Sequence, residues 1–235
     1  MNILIIIIIL IILLFLLLQI NNFEKFINSN NINYYVIHME KNTNRIDNIK
    51  KNENKLNNHI QIFNAIVGNN VDLTNLSIYE KKLINNFDYR YKGEIGCYLS
   101  HLMLLKSLLN NNTGYTVIFE DDFKIIDNNL YLKINNILSS IDIDFDILYL
   151  GNLNDNHSNL YKNNIYYIDS QKPLWGTHAY LINNKNIKKI YNTLLNMDKA
   201  IDNKIKENFD NKILNGLVIY PILVNQNEIF NSTIR

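Results

Sequence analysis

Cysteine occurs once in the 235 residues, at Cys97. No intramolecular disulfide can form, so the fold cannot depend on an oxidising compartment. Proline occurs twice, at Pro173 and Pro221, and no linker divides the chain between Tyr34 and Arg235. An excess of either charge is also missing: 23 Lys and Arg face 22 Asp and Glu, for a formal net charge of +1. A nucleic-acid partner would call for a basic stripe, so that class is set aside. No internal repeat is present. Asparagine, by contrast, makes up roughly a fifth of the chain, far above ordinary usage. The bias runs throughout and reads as AT-rich coding. No single Asn therefore carries weight, nor do the N-x-S/T sequons at Asn75, Asn111, Asn156 and Asn231.

One long apolar run exists, from Ile3 to Leu18, extended by Ile20 past Gln19. It sits at the short edge of a membrane-spanning helix, which takes roughly 17–25 residues. It exceeds a signal-peptide core of roughly 7–15 residues, and no A-x-A cleavage site follows. The expectation is an uncleaved signal anchor at 1–20, with a cleaved signal peptide as the alternative. Charge is sparse on both flanks, so the sequence does not orient the chain across the membrane. An Asn-rich stretch at 21–33 reads as a polar stalk.

From Tyr34 onward the apolar periodicities alternate between strand and helix. Tyr34–Met39 is a β-rich run, Arg45–Leu56 has helical spacing, and Ile60–Ala65 is a second strand, which together make a βαβ unit. Thr74–Tyr91 has no clean period. Glu94–Asn110 carries Ile95, Leu99, Leu102, Leu105 and Leu109 on one helical stripe. A strand from Tyr115, a helix at Asn129–Ser139 and a strand at Asp146–Leu150 follow. Strands at Ile165–Ile168 and Leu174–Ile182, helices at Lys185–Leu195 and Asp202–Asn208, and a last strand at Leu217–Val224 complete the pattern. The predicted fold is one α/β domain over 34–235, with a mostly parallel central sheet flanked by helices.

Within that pattern, the run Val117–Phe119 stops abruptly at Glu120, Asp121 and Asp122. Acids at the carboxyl end of a buried strand lie where open α/β sheets bind ligands. Three adjacent negative charges need an offset, and Mg²⁺ or Mn²⁺ bridging a carboxylate to a phosphate supplies it. In extended chain, Glu120 and Asp122 would share one side and Asp121 the other. Asp122, with Glu120, is thus the candidate metal ligand, and Glu120 or Asp121 would steer the nucleotide. The plainer reading is a solvated acidic turn.

The order of motifs adds to this. His38-Met39-Glu40 is followed by Arg45, then A-x-x-G at Ala65–Gly68 and GEIGCYLSH at Gly93–His101. FEDD at Phe119–Asp122, DILYLG at Asp146–Gly151 and WGTHAYLI at Trp175–Ile182 come next, then Ile201-Asp202 and a terminal Ser232-Thr233. This series resembles glycosyltransferase family 25, which includes lipooligosaccharide and collagen-modifying galactosyltransferases. The resemblance covers nearly everything from Tyr34 to Arg235. It implies a GT-A fold and an inverting transfer of a hexose, galactose or glucose, from a UDP-sugar with Mn²⁺ or Mg²⁺ to a glycan or glycoprotein acceptor. The departures are His38, Met39 and Glu40 where the family usually reads N-L-D, and Ala200 where it has Pro before I-D. They bear on the donor rather than on the reaction class.

The resemblance makes Asp202 the candidate base for the acceptor hydroxyl, a local alternative being a helix cap. Glu40 belongs to the donor-side signature, and Ala65 and Gly68 to the A-x-x-G motif. Arg45 is suited to grip a diphosphate, unless it is a surface residue of the first helix. Gly93 and Gly96 would allow close approach to the nucleotide or a sharp helix start. His101 is a metal ligand, a phosphate contact or a structural histidine. Ser100 either joins the site or bonds back to its own helix. Trp175, Gly176 and Thr177 would floor the sugar site, with the indole against a hexose face, or the Trp would be core. Cys97 reads as a small buried hydrophobe. His178 fills the variable position of its motif and receives no role. Two rivals remain: a non-catalytic carbohydrate-binding relative and a metal-dependent phosphohydrolase.

Overall fold

The run Val117–Phe119 lies inside an eight-stranded sheet, on the third strand from one edge. A computed structural model of the protein describes residues 30–71 and 92–230. The apolar run at 3–20, most of the stalk, the stretch Thr74–Tyr91 and the terminal Ser232-Thr233 lie outside the described residues. Among the described residues no helix is long and apolar enough to cross a membrane.

The strands are β1 (Ile32–His38), β2 (Gln61–Asn64), β3 (Tyr115–Glu120), β4 (Phe123–Ile125), β5 (Ile147–Gly151), β6 (Leu160–Lys162), β7 (Ile165–Tyr167), β8 (Ala179–Asn183), β9 (Gly216–Ile219) and β10 (Val224–Gln226). The helices are α1 (Ile46–Leu56), α2 (Lys92–Ser107), α3 (Leu130–Ser140), α4 (Ile187–Thr193) and α5 (Ile201–Asp210). The first strand begins at Ile32, so the folded unit takes in the last two residues assigned to the stalk.

β1 pairs in parallel with β2 and β3, as a βαβ unit requires, and β5 pairs in parallel with β9. β8 runs against both β3 and β5, and β7 runs against both β9 and β6. The sheet is therefore mixed, with most strands pointing one way and two reversed. A fully buried strand reads as an apolar run in either direction, which is why the sequence pattern could not show the reversals.

Side-chain alternation splits the interior into two layers. Ile118, Tyr180, Ile147 and Tyr149 face a core closed by α2, α4 and α5. Val117, Phe119, Leu148, Leu150 and Leu181 face a core closed by α1 and α3. Each fully buried Leu, Ile or Phe contributes about 1.5–3 kcal/mol before entropy is counted.

Three predicted strands are cut short, each for a local reason. The strand from Tyr115 ends at Glu120, turns through Asp121 and Asp122, and resumes as β4, which pairs with β10 away from the main sheet. The run from Leu174 becomes a strand only at Ala179, because Gly176 has φ +87°. The last run breaks between Ile219 and Val224, where Pro221 has no N–H to give a ladder. The short hairpin strand β6 carries too few alternating residues to register in the sequence.

Candidate active site

The β3 tip is where the sheet brings distant segments together. Ile37 at the end of β1 is level with Glu120, and Phe119 is level with Ala179 at the start of β8. Gly151, at the end of β5, is also paired to Ala179. The residues after β1 and β3 and those before β8 therefore meet at one end of the sheet, and the Glu120 N–H donates to the His178 carbonyl at 3.1 Å.

Asp121 is consumed by its neighbours. Its Oδ2 meets His38 Nδ1 at 2.8 Å and accepts from the Met39 N–H at 3.3 Å, while Arg45 donates to Oδ1. Asn48 closes the turn by donating to the Asp121 carbonyl at 3.1 Å. Arg45 is buried, so it is not a surface residue of the first helix, and its guanidinium also lies 5.2 Å from the centre of the Phe230 ring.

Asp122 is equally buried but poorly satisfied. Gln226 donates to its Oδ2 at 2.9 Å, Arg45 stands 3.7 Å from the same oxygen, and Oδ1 has no hydrogen-bond partner among the described residues. Burial first, and then repulsion from Glu120, push its carboxyl up to about 6. The extended-strand picture is corrected here. The turn sends Asp121 toward Arg45 and Glu120 toward α2, and leaves Asp122 against β10, reached by Gln226 and Arg45.

Glu120 faces α2 and the segment before β8. Its Oε1 accepts from the Thr177 hydroxyl at 2.5 Å and lies 3.3 Å from His101 Nε2. Burial raises its carboxyl, but the hydrogen bonds and charge of His101 and the bond from Thr177 outweigh this and hold it below the usual carboxylate range. The buried His101 ring is fixed at its other nitrogen by the Tyr180 hydroxyl, 2.8 Å from Nδ1. Cys97, one turn back on α2, retains some exposure. Burial, followed by the negative charge of Glu120, Asp202 and Asp122, pushes its thiol well up.

Asp202 sits in the first turn of α5, and the helix cap is Ala200. Its Oδ1 accepts from the Asn203 N–H at 2.7 Å and its Oδ2 from the Gly176 N–H at 3.2 Å. Burial raises its carboxyl, with Glu120 adding to the shift. Trp175 next to it is 50% exposed and so is not core.

The other predicted residues spread out. Ser100 bonds back to the Gly96 carbonyl at 2.6 Å and accepts the Ile66 N–H at 2.8 Å. Gly68 and Gly96 pack backbone to backbone: a Cβ on Gly68 would lie 1.6 Å from the Lys92 carbonyl oxygen, and one on Gly96 would lie 2.6 Å from Gly68 N. These glycines join the 65–70 segment to α2. Ala65 tethers that segment to β1 through its N–H to the His38 carbonyl at 2.8 Å. Gly93 lies in the first turn of α2, and Glu40 is exposed just past β1.

Three participants were missed. His38 stands in the departed signature, and that departure was the available signal. Gln226 gives none, being 104 residues from Asp122. His178 is buried, with Nε2 3.4 Å from the Val224 carbonyl and Nδ1 without a partner among the described residues, and burial lowers its pKa.

Residues 31–205 match the family model described as glycosyltransferase family 25 (LPS biosynthesis protein). The chain belongs to glycosyltransferase family 25. The candidate site of this family 25 chain is assembled from motifs inside the matched span, apart from the β10 residue Gln226 that backs Asp122. Procollagen galactosyltransferase 1-A of Xenopus laevis is 24% identical over 128 residues, which is 50% of this chain and 20% of that protein. Procollagen galactosyltransferase 2 of Mus musculus is 24% identical over 101 residues, 39% of this chain and 16% of that protein. The matched part thus spans a fifth or less of these relatives. A glycosyltransferase involved in glycosylation of the major capsid of PBCV-1 superposes with a TM-score of 0.44 at 10% identity, over 85% of this chain and 94% of that one.

Proposed function

We propose that the chain transfers a hexose, galactose or glucose, from a UDP-sugar to a hydroxyl of a glycan or glycoprotein, with inversion, on a GT-A-type fold that uses Mn²⁺ or Mg²⁺. The observation that carries this reading is the bare, buried Oδ1 of Asp122 beside Glu120. A buried carboxylate oxygen without a donor is a costly arrangement that a hard cation relieves. Asp122, with Glu120 beside it, would hold the ion, which when bound stabilises negative charge on the departing diphosphate.

The chain's own groups supply the rest. Arg45 is held rigid by Asp121 and carries positive charge to the same corner, 3.7 Å from Asp122 Oδ2. Asp202 takes the proton of the incoming hydroxyl. Its two backbone hydrogen bonds fix its orientation, and its raised pKa makes it a better base than an exposed aspartate. Trp175 offers an exposed aromatic face to the apolar side of a sugar ring. The apolar run at 3–20 supports membrane attachment of this domain. The names of the relatives support galactose as donor sugar and a protein or lipopolysaccharide glycan as acceptor.

The test is transfer from UDP-sugar by Asp122→Ala. A lost ion contact of several kcal/mol predicts a drop of about 10²–10³-fold with the fold intact by circular dichroism. Full activity would remove the metal role. Calorimetry with UDP-galactose, UDP-glucose and UDP-N-acetylhexosamines in the presence of Mn²⁺ would identify the donor. Sugar binding without turnover by the unmodified protein would favour a non-catalytic relative.

A further inference from the structure

We infer that Cys97, His101 and Glu120 form a binding site for a thiophilic divalent cation of the zinc type, chemically distinct from the oxygen-lined corner at Asp122. Their ligand atoms all lie within 4.8 Å of one another. Cys97 and His101 are four apart on α2, so they stand one turn apart on the same helix face. Glu120 ends β3 against that face, its Oε1 3.3 Å from His101 Nε2.

The donor set decides the ion. One sulfur, one imidazole and one carboxylate suit Zn²⁺ and its borderline-soft neighbours, whereas Mg²⁺ and Ca²⁺ select oxygen. Three protein ligands leave a fourth coordination position open, as in zinc sites that keep a water or exchangeable ligand. Two of the three ligands already have the outer partners that metal sites use for orientation. The Tyr180 hydroxyl engages His101 Nδ1 at 2.8 Å, which turns Nε2 toward Glu120. The Thr177 hydroxyl holds Glu120 Oε1 at 2.5 Å.

Binding at this site does not depend on the transferase reading. A consequence does: in that reading Glu120 assists Asp122 in holding the catalytic ion, so an occupying Zn²⁺ would inhibit transfer by engaging Glu120.

The protein has a single cysteine, so any thiolate-to-metal absorption must come from Cys97. The metal-free, untagged full chain is titrated with Co²⁺, and Zn²⁺ is measured by competition with a chromophoric chelator. Expected are one ion per chain and a saturable thiolate-to-cobalt band. Cys97→Ser should abolish the band and weaken Zn²⁺ by more than the roughly 10–100-fold that loss of an outer partner costs. Tyr180→Phe should weaken it by about tenfold. Asp122→Asn should leave the band unchanged. Absence of the band, equal Zn²⁺ affinity in the wild type and Cys97→Ser, or half an ion per chain would overturn the site. Should Cys97→Ser not fold, alkylation of Cys97 in the wild type decides: Zn²⁺ should slow it, and an unchanged rate counts against the site. An intact band with no transfer from any UDP-sugar would sink the transferase reading alone.

Discussion

On the α1 side of the β3 tip, Asp121 receives the His38 ring, the Met39 N–H and the Arg45 guanidinium. One residue further on, Asp122 receives, among the described residues, a single Gln226 amide and keeps one buried oxygen bare. Both side chains are removed from water to the same extent. Desolvation is thus equal, and the difference lies in what replaces the lost water. A carboxylate with a full set of donors belongs to the scaffold, because its charge is already spent. A carboxylate buried without them stores electrostatic cost, and such cost collects at sites that bind something. In a run of three acids, then, the partners tell fold from chemistry where residue type cannot.

The contrast can be broken most severely at Asp121. Asp121→Ala removes the buried carboxylate that both Arg45 and His38 engage, and should cost about 3–5 kcal/mol in denaturant unfolding. A loss under about 1 kcal/mol would mean that Asp121 is no more structural than an ordinary surface acid. Thr177→Val, on the Glu120 side, removes a hydrogen bond to a charged group. It should cost about 1.5–3 kcal/mol by the same measurement, with the Glu120 carboxyl titrating higher by NMR.

Asp122 should behave in the opposite sense. Its folded pKa is raised from 3.8 to about 6, so the folded state holds the proton more tightly than the unfolded chain. Stability therefore falls as pH rises through this window, and the full penalty is present above about 6. Asp122→Asn should accordingly stabilise the metal-free protein at neutral pH, by about 1–2 kcal/mol after allowance for screening. That gain should vanish as pH falls toward 3.8. Mn²⁺ should raise the Tm of the wild type and leave that of Asp122→Asn unchanged. A destabilised Asp122→Asn at neutral pH would place Asp122 with Asp121 among the structural acids.

Much of the fold was legible because burial leaves a period. The alternation of β1, α1 and β2, the long α2, and the buried runs of β3, β5 and β8 all follow from apolar spacing. The four-residue spacing of Cys97 and His101 on α2 was equally readable, as was Asp202 opening a helix. The losses have physical causes. Strand direction leaves no mark on a run buried on both faces, so the reversal of β8 was invisible. Gly96 signalled close approach, but whether to a ligand or to another backbone depends on what the fold sets opposite it, here Gly68. Gln226 reaches Asp122 only because β10 pairs with β4, and no local pattern encodes that pairing.

By itself, the sequence determined the class of fold, the position of the acids at the end of a buried strand, and membership of the family through the order of its motifs. These are local or collinear properties, fixed by spacing along one chain. Only the tertiary structure decided which acid is tethered and which is left short of donors. That depends on donors brought from α1, β8 and β10, and a carboxylate's energy is set by the groups around it in space, whatever their separation along the chain.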